Sequence, residues 1–258
     1  MDKIYRAGIV SVTFRQFGYK NLIKYVKQTD LSCIEWGSDI HVPYNEPEKT
    51  AAVAEEMRAN NLTAASYGSY YRLGQPHDSE LFFMILNTAK NLSAPMLRVW
   101  GGITGSKNLD IRGRKNIIGD ALDIAEKAQN ENIKISLEYH ADTITDTVES
   151  ALDFISEVKK SGGENIYLYW QPNQNMSFGE NKKCLVKICP YLSNIHVFAW
   201  ENSARLPLIE HKNRWESYID IIKNNSERNH DFLLEFVKND TVEQMVEDAK
   251  VLMDLLGK

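Results

Sequence analysis

The chain alternates. Eight times, a short run rich in β-branched and aromatic residues is followed by a longer stretch with apolar positions at helical spacing. The short runs cover residues 7–14, 31–36, 62–67, 95–100, 133–138, 166–171, 194–200 and 231–236. Strands separated each time by a helix need a crossover connection, so their sheet is parallel. Eight such units recur at roughly 25 to 40 residues, with no linker or low-complexity segment between them. A 258-residue chain of this kind has the size of a closed barrel. An open doubly wound sheet is the competitor. It would carry a glycine-rich phosphate loop, and no GxGxxG follows an early strand. The expectation is one (β/α)8 TIM barrel domain over residues 1–258.

Local signals set the expected boundaries. Pro47 suits the first turn of the second helix, and Asp78 is placed to cap the third. Thr145 is the expected cap of the fifth helix, and Gly162-Gly163 its stop. The sixth is expected from Asn181 to Cys189, before Pro190. Asn239 or Asp240 would cap the last.

Composition removes several function classes. The formal net charge is −5, and the 30 Lys and Arg are scattered without a basic run. That argues against nucleic acid as a partner. No apolar run approaches the roughly 20 residues that span a bilayer, and the first residues lack a signal-peptide core. Cys33, Cys184 and Cys189 have no CxxC spacing and read as buried thiols of a reduced, cytoplasmic protein.

In a barrel the C-terminal strand tips converge on one mouth, where the chemistry resides. The tips present Glu35, Asp39 and His41 on strand two, Tyr67 on three, and Arg98 and Trp100 on four. They continue with Glu138 and His140 on five, Gln171 and Asn173 on six, His196 on seven and Glu235 on eight. Glu138 and Glu235 sit inside strongly apolar strands, where an unpaired charge is costly. With Gln171 and His196 they form a candidate metal-ligand set. Oxygen donors plus one imidazole suit Mn2+, Mg2+ or Co2+ best, with Zn2+ also admissible. The structural alternatives are ordinary. Arg98 would be a salt-bridge partner of a mouth carboxylate, and Trp100, Trp170 and Trp200 would pack the barrel top. His77, His211 and His230 fall in loop-like contexts.

The chain resembles the sugar phosphate isomerase/epimerase group of xylose isomerase-like TIM barrels, which also contains endonuclease IV. The resemblance runs over nearly the whole length. It rests most on Ile34 to Pro43 (IEWGSDIHVP), Leu97 to Gly101 (LRVWG), Leu137 to His140 (LEYH), Asn194 to Val197 (NIHV) and Leu234-Glu235. It implies a divalent metal held by strands five to eight, with Glu138, His196 and Glu235 at the first, third and fourth ligand positions. Gln171 stands where the family usually has Asp, and Gln174 where it usually pairs that Asp with a His.

The resemblance also implies a metal-dependent isomerase or epimerase of a sugar or sugar derivative. A proton next to a carbonyl would be removed through an enediolate, with Glu138 and Glu235 exchanging acid and base roles. His41, Arg98, His140 and Arg205 would then bind hydroxyls or an anionic group, and Trp100 would cover an apolar sugar face. A lyase or dehydratase shares the first proton abstraction, and a sugar-binding barrel without turnover is the non-enzymatic alternative. Endonuclease IV chemistry needs a three-zinc cluster, for which six histidines in the whole chain are too few. A homo-oligomer is allowed, with Tyr70, Tyr71 and Phe178 as aromatics for an interface.

Overall fold

The computed structural model describes residues 3–258; the expected domain also includes Met1 and Asp2, which lie outside the described residues. The eight barrel strands are Tyr5–Val10, Cys33–Gly37, Thr63–Arg72, Met96–Trp100, Lys134–Glu138, Ile166–Trp170, Leu192–Val197 and His230–Leu234. Every neighbouring pair is parallel, and strand one closes the ring against strand eight with Ile9 opposite Leu234. Each strand is followed by a helix, so the chain is a single-domain (β/α)8 TIM barrel.

Alternation along the strands separates two environments, because successive side chains point to opposite faces. Ile34 and Trp36, Leu97 and Val99, Ile135 and Leu137, and Ile195 and Val197 point outward. They pack into the layer between strands and helices. The other parity points into the barrel. There Val10, Cys33, Ala65, Met96, Tyr169 and Leu233 form a small apolar plug. Glu35, Ser66, Arg98, Glu138, His196 and Glu235 are also buried.

Most expected boundaries stand within a residue or two, and the departures have local causes. Strand one ends at Val10, and Ser11–Phe14 turn into a 3-10 helix. Strand three continues past Tyr67 to Arg72, and its register against strand four shifts between Gly68 and Arg72. Tyr70 lies in that irregularity with φ 56°. A bulge of this kind re-aims a side chain. Thr147, not Thr145, caps the fifth helix, Val148–Lys160. The Thr145 hydroxyl donates instead to the Glu138 carbonyl at 2.6 Å. The sixth helix starts at Phe178 because Ser177 and Glu180 form a reciprocal capping box. Glu80 and Thr241, rather than Asp78 and Asn239 or Asp240, precede the third and last helices. After strand seven a small hairpin forms, Trp200–Glu201 against Ala204–Arg205.

Cys33, Cys184 and Cys189 are free and buried. No helix among the described residues is long and apolar enough to cross a membrane. Tyr71 is buried and Tyr70 and Phe178 are half-buried, so they do not form the exposed aromatic patch expected of an interface.

His230 begins strand eight instead of lying in a loop. Its Nδ1 meets the Ser193 carbonyl and its Nε2 lies 2.7 Å from the Ser226 hydroxyl. Burial pulls its pKa down to about 4; the Ser193 carbonyl and Asp231 oppose this, while Arg228 and Lys3 add to it. The imidazole therefore stays neutral in the fold over a range in which the unfolded chain protonates it. Its stabilising contribution is complete above about pH 6.5 and is lost as the pH falls towards 4. Urea unfolding at pH 7 and pH 5 is expected to show a loss of about 1–2 kcal/mol from this group. His230→Gln is expected to flatten that loss; an unchanged pH slope in the variant would refute the assignment.

Candidate active site

The inward positions at the C-terminal ends of strands two, four, five, seven and eight meet around one guanidinium. Arg98 Nε donates to Glu35 Oε1 at 2.8 Å, and Nη1 donates to Glu138 Oε2. All three side chains are buried. Gly68 on strand three makes room for the arginine, since a Cβ there would stand 2.6 Å from Arg98 Nη2. Ser66 donates to the second Glu35 oxygen at 2.5 Å. Burial alone pushes the Glu35 carboxyl up, yet Arg98 and His196 beside it hold it well below the usual carboxylate range.

His196 is the second centre. Its Nδ1 lies 3.3 Å from Gln171 Oε1, 3.5 Å from Glu235 Oε2 and 4.0 Å from Glu138 Oε1. The Gln171 amide nitrogen donates at 3.3 Å to both Glu138 Oε1 and the Tyr139 carbonyl. On the other side, Nε2 comes within 3.4 Å of Glu35 Oε1 but outside hydrogen-bond geometry. The Tyr169 ring packs against the imidazole at 4.6 Å. Burial disfavours the imidazolium, but Glu235 and Glu35 outweigh it and the His196 pKa rises. Burial pushes the Glu235 carboxyl up, more than His196 draws it down.

Among the described residues, no three His, Cys, Asp or Glu side chains are arranged to hold a metal ion by themselves. The Gln171 amide oxygen is the nearest of the three oxygens to Nδ1. Around a shared cation with bonds of about 2.1–2.3 Å, adjacent donors stand roughly 3.0–3.3 Å apart. Gln171 and Glu235 approach that spacing from His196, while Arg98 holds Glu138 slightly back. Three buried carboxylates facing one arginine and one imidazole leave negative charge to be met. The donor set fits a divalent cation.

Above these groups opens a cleft of about 510 Å3, lined in part by Arg15, Tyr70, Trp100, His140, Phe198, Trp200 and Phe236. Trp100 and His140 stack at 4.4 Å and make one wall, with Arg72 over the indole. Trp200 and Phe236 make another, at 5.9 Å. Both Tyr70 and Phe236 have left-handed backbone, with φ 56° and 57°. Bulky residues adopt it rarely, and such strain collects at functional sites.

The expected site residues thus divide. Arg98, Trp100, Glu138, His140, Gln171 and Glu235 line the cleft, and His196 lies buried beneath it. His41 does not: it is buried against Trp36, with Nε2 3.1 Å from the Phe17 carbonyl. Arg205 pairs with Asp240 and lies over the Trp200 and Phe236 rings, bracing that wall from behind. Arg98 is no free clamp, because its charge is shared by two carboxylates. Trp170 packs in the outer layer against Trp215 and Tyr218, while Trp100 and Trp200 face the cleft. Arg15, Tyr70, Phe198 and Phe236 join the lining without having been expected there, and Glu35, expected at the mouth, lies in the charged group beneath it.

Known proteins bear on this geometry. The profile of the xylose isomerase-like TIM barrel family matches residues 23–255. No curated protein sequence matches the chain significantly. Among solved structures, the probable 3-DHS dehydratase AsbF of petrobactin synthesis from Bacillus anthracis superposes with a TM-score of 0.76 at 16% identity. That match covers 100% of this chain and 99% of the other. A xylose isomerase-like TIM barrel protein from Mycobacterium smegmatis, in complex with magnesium, gives 0.70 at 13% identity, over 97% and 96%. D-psicose 3-epimerase from Clostridium cellulolyticum H10, with D-tagatose, gives 0.65 at 16% identity, over 98% and 91%. At such identities the likeness is one of fold.

Proposed function

The chain belongs to the xylose isomerase-like TIM barrel family, and from that membership and the geometry of the mouth we propose that it is a divalent-metal-dependent isomerase or epimerase of a sugar or sugar derivative. The observation that carries this reading is the convergence of Glu138 and Glu235, from strands five and eight, on the Nδ1 side of one buried imidazole. Glu235, His196 and Gln171 would hold the cation, with Glu138 joining through Oε1. When bound, the cation supplies a Lewis acid that polarises the substrate carbonyl.

The chain's own residues then divide the proton work. Glu138, oriented by Arg98 and Gln171, removes the proton from the carbon next to the carbonyl, leaving an enediolate. Glu235, facing the mouth from strand eight, returns a proton to the same carbon from the other face or to its neighbour. Trp100 and His140 give the sugar a flat wall. His41 supports the fold behind strand two, and Arg205 steadies the Trp200 wall.

One asymmetry favours a second reading. Arg98 grips Glu138 but not Glu235, so the two carboxylates are not interchangeable. A fixed base with a separate acid also suits loss of water, where the acid protonates the departing hydroxyl. Product analysis in D2O separates the two. Deuterium at one carbon without mass loss supports the isomerase or epimerase; an unsaturated product 18 mass units lighter on the scale of the starting sugar supports the lyase.

Gln171 provides a direct test of the metal reading. Gln171→Glu keeps the reach and adds a fourth carboxylate, 33 residues after Glu138. Without metal the variant is expected to melt below wild type, from like-charge repulsion with Glu138. Added Mn2+ is expected to raise its melting temperature more than it raises that of wild type, with about tenfold tighter binding by calorimetry. Equal Mn2+ responses in the two proteins would exclude Gln171 from the ligand set.

A further inference from the structure

A second cleft, of about 310 Å3, opens beside the mouth and shares the wall formed by Pro172 to Asn175, Phe198 and Trp200. Each cleft alone falls in or near the range of about 300–1,000 Å3 that encloses small ligands. Two observations fix what the second one suits. Its polar lining is mostly amide and hydroxyl, from Asn173, Gln174, Asn175, Asn202 and Ser203, set against the Trp200 and Tyr218 rings. Amides donate and accept at once, as sugar hydroxyls do, and aromatic faces cover the apolar side of a sugar ring.

The arginines along both clefts are already paired. Arg214 donates to Glu201 at 2.8 Å, and the His211 imidazole stands 3.5 Å from the same oxygen. In the mouth, Arg15 pairs with Asp39 at 2.6 Å, and Arg98 with Glu35 and Glu138. A phosphate held by Arg15 or Arg214 would share the guanidinium with a carboxylate of the same sign, which weakens its hold relative to a free arginine.

We infer that the substrate is a neutral disaccharide or glycosylated sugar, with the reacting unit in the mouth and a second sugar ring in the side cleft across Trp200. This rests on the sugar-enzyme reading of the mouth. The reacting unit needs its carbonyl, so the link to the second ring leaves the reducing end free. The 1,4-linked disaccharides have that form.

Calorimetric titration of the full chain, without and with Mn2+, compares cellobiose, maltose and lactulose with glucose, fructose and fructose 6-phosphate. At least one disaccharide is expected to bind about tenfold or more tighter than its monosaccharides. Met176 lines only the side cleft and is half-buried. Met176→Trp fills that cleft and is expected to bring the disaccharide down to the monosaccharide affinity. If monosaccharides bind and every disaccharide binds no tighter, the side cleft is not a sugar subsite and the inference falls, while the reading of the mouth stands. Tighter binding of fructose 6-phosphate than of any disaccharide overturns the neutral-substrate inference. Failure of every sugar to bind overturns the sugar reading of the mouth and this inference with it.

Discussion

Glu138→Gln is expected to lower turnover by about 10²–10⁴-fold, the usual contribution of a positioned general base, while the barrel melts within a few degrees of wild type. The amide keeps the length of the side chain, and its oxygen can still accept from Arg98. What disappears is the second lone-pair-bearing oxygen that takes the substrate proton. Glu138 sits at the last position of strand five, and its carbonyl is fastened by Thr145, so the backbone has no reason to move. The assay is exchange of substrate hydrogen with D2O, read by NMR, which reports proton removal whatever the final product. Full exchange activity in the variant would rule out Glu138 as the base. Glu235→Gln provides the companion measurement. In a two-carboxylate mechanism, measured at saturating Mn2+, it is expected to lower net conversion more than it lowers hydrogen washout by Glu138.

Arg98→Met is expected to cost about 3–5 kcal/mol, the range for breaking a buried ion pair by removing one partner. For a chain of this size that is a fall in melting temperature of roughly 6–20 °C. Methionine fills much of the same volume, so the loss is one of charge. Glu35 and Glu138 are left facing each other in the barrel interior, with only the His196 imidazole beside them. A second substitution, Glu35→Gln, removes that repulsion and is expected to recover a good part of the loss. Thermal melts of the two single variants and the double variant measure the coupling. A drop below about 2 °C in Arg98→Met would show that the guanidinium is not the counterion of this cluster.

The barrel was legible because its signal repeats. Eight apolar runs with eight amphipathic partners leave little choice of topology, and period-two parity then assigns Glu138, His196 and Glu235 to the interior without reference to any partner. Glu35 obeys the same parity within Cys33-Ile34-Glu35-Trp36, and the cost of burying a charge marked it as strongly as it marked Glu138. It stands among the mouth residues on that ground, but its pairing with Arg98, 63 residues away, has no local signal. Non-local pairing also accounts for Arg205, whose charge is taken by Asp240, and for His41, which packs into the strand-two loop. Tyr70 and Phe236 leave no trace in a periodicity argument. Their side chains reach the mouth through a bulge and a left-handed backbone, and neither has a pattern of its own. The capping residues were misplaced by a residue or two for a simpler reason. Several Thr, Asp and Asn precede each helix, and only the three-dimensional turn selects among them.

The guanidinium beneath the mouth has a consequence for the proposed metal-dependent reading. A site whose carboxylates are balanced only by a bound ion is tied to that ion for its shape, as small zinc domains are. Here a covalently attached cation, seated over Gly68, already holds two of the three carboxylates in place. If the site takes a divalent ion as proposed, the barrel is expected to fold without it and to bind it afterwards. Loading would then be a reversible event at a finished surface, with the ion a replaceable part instead of a beam in the frame.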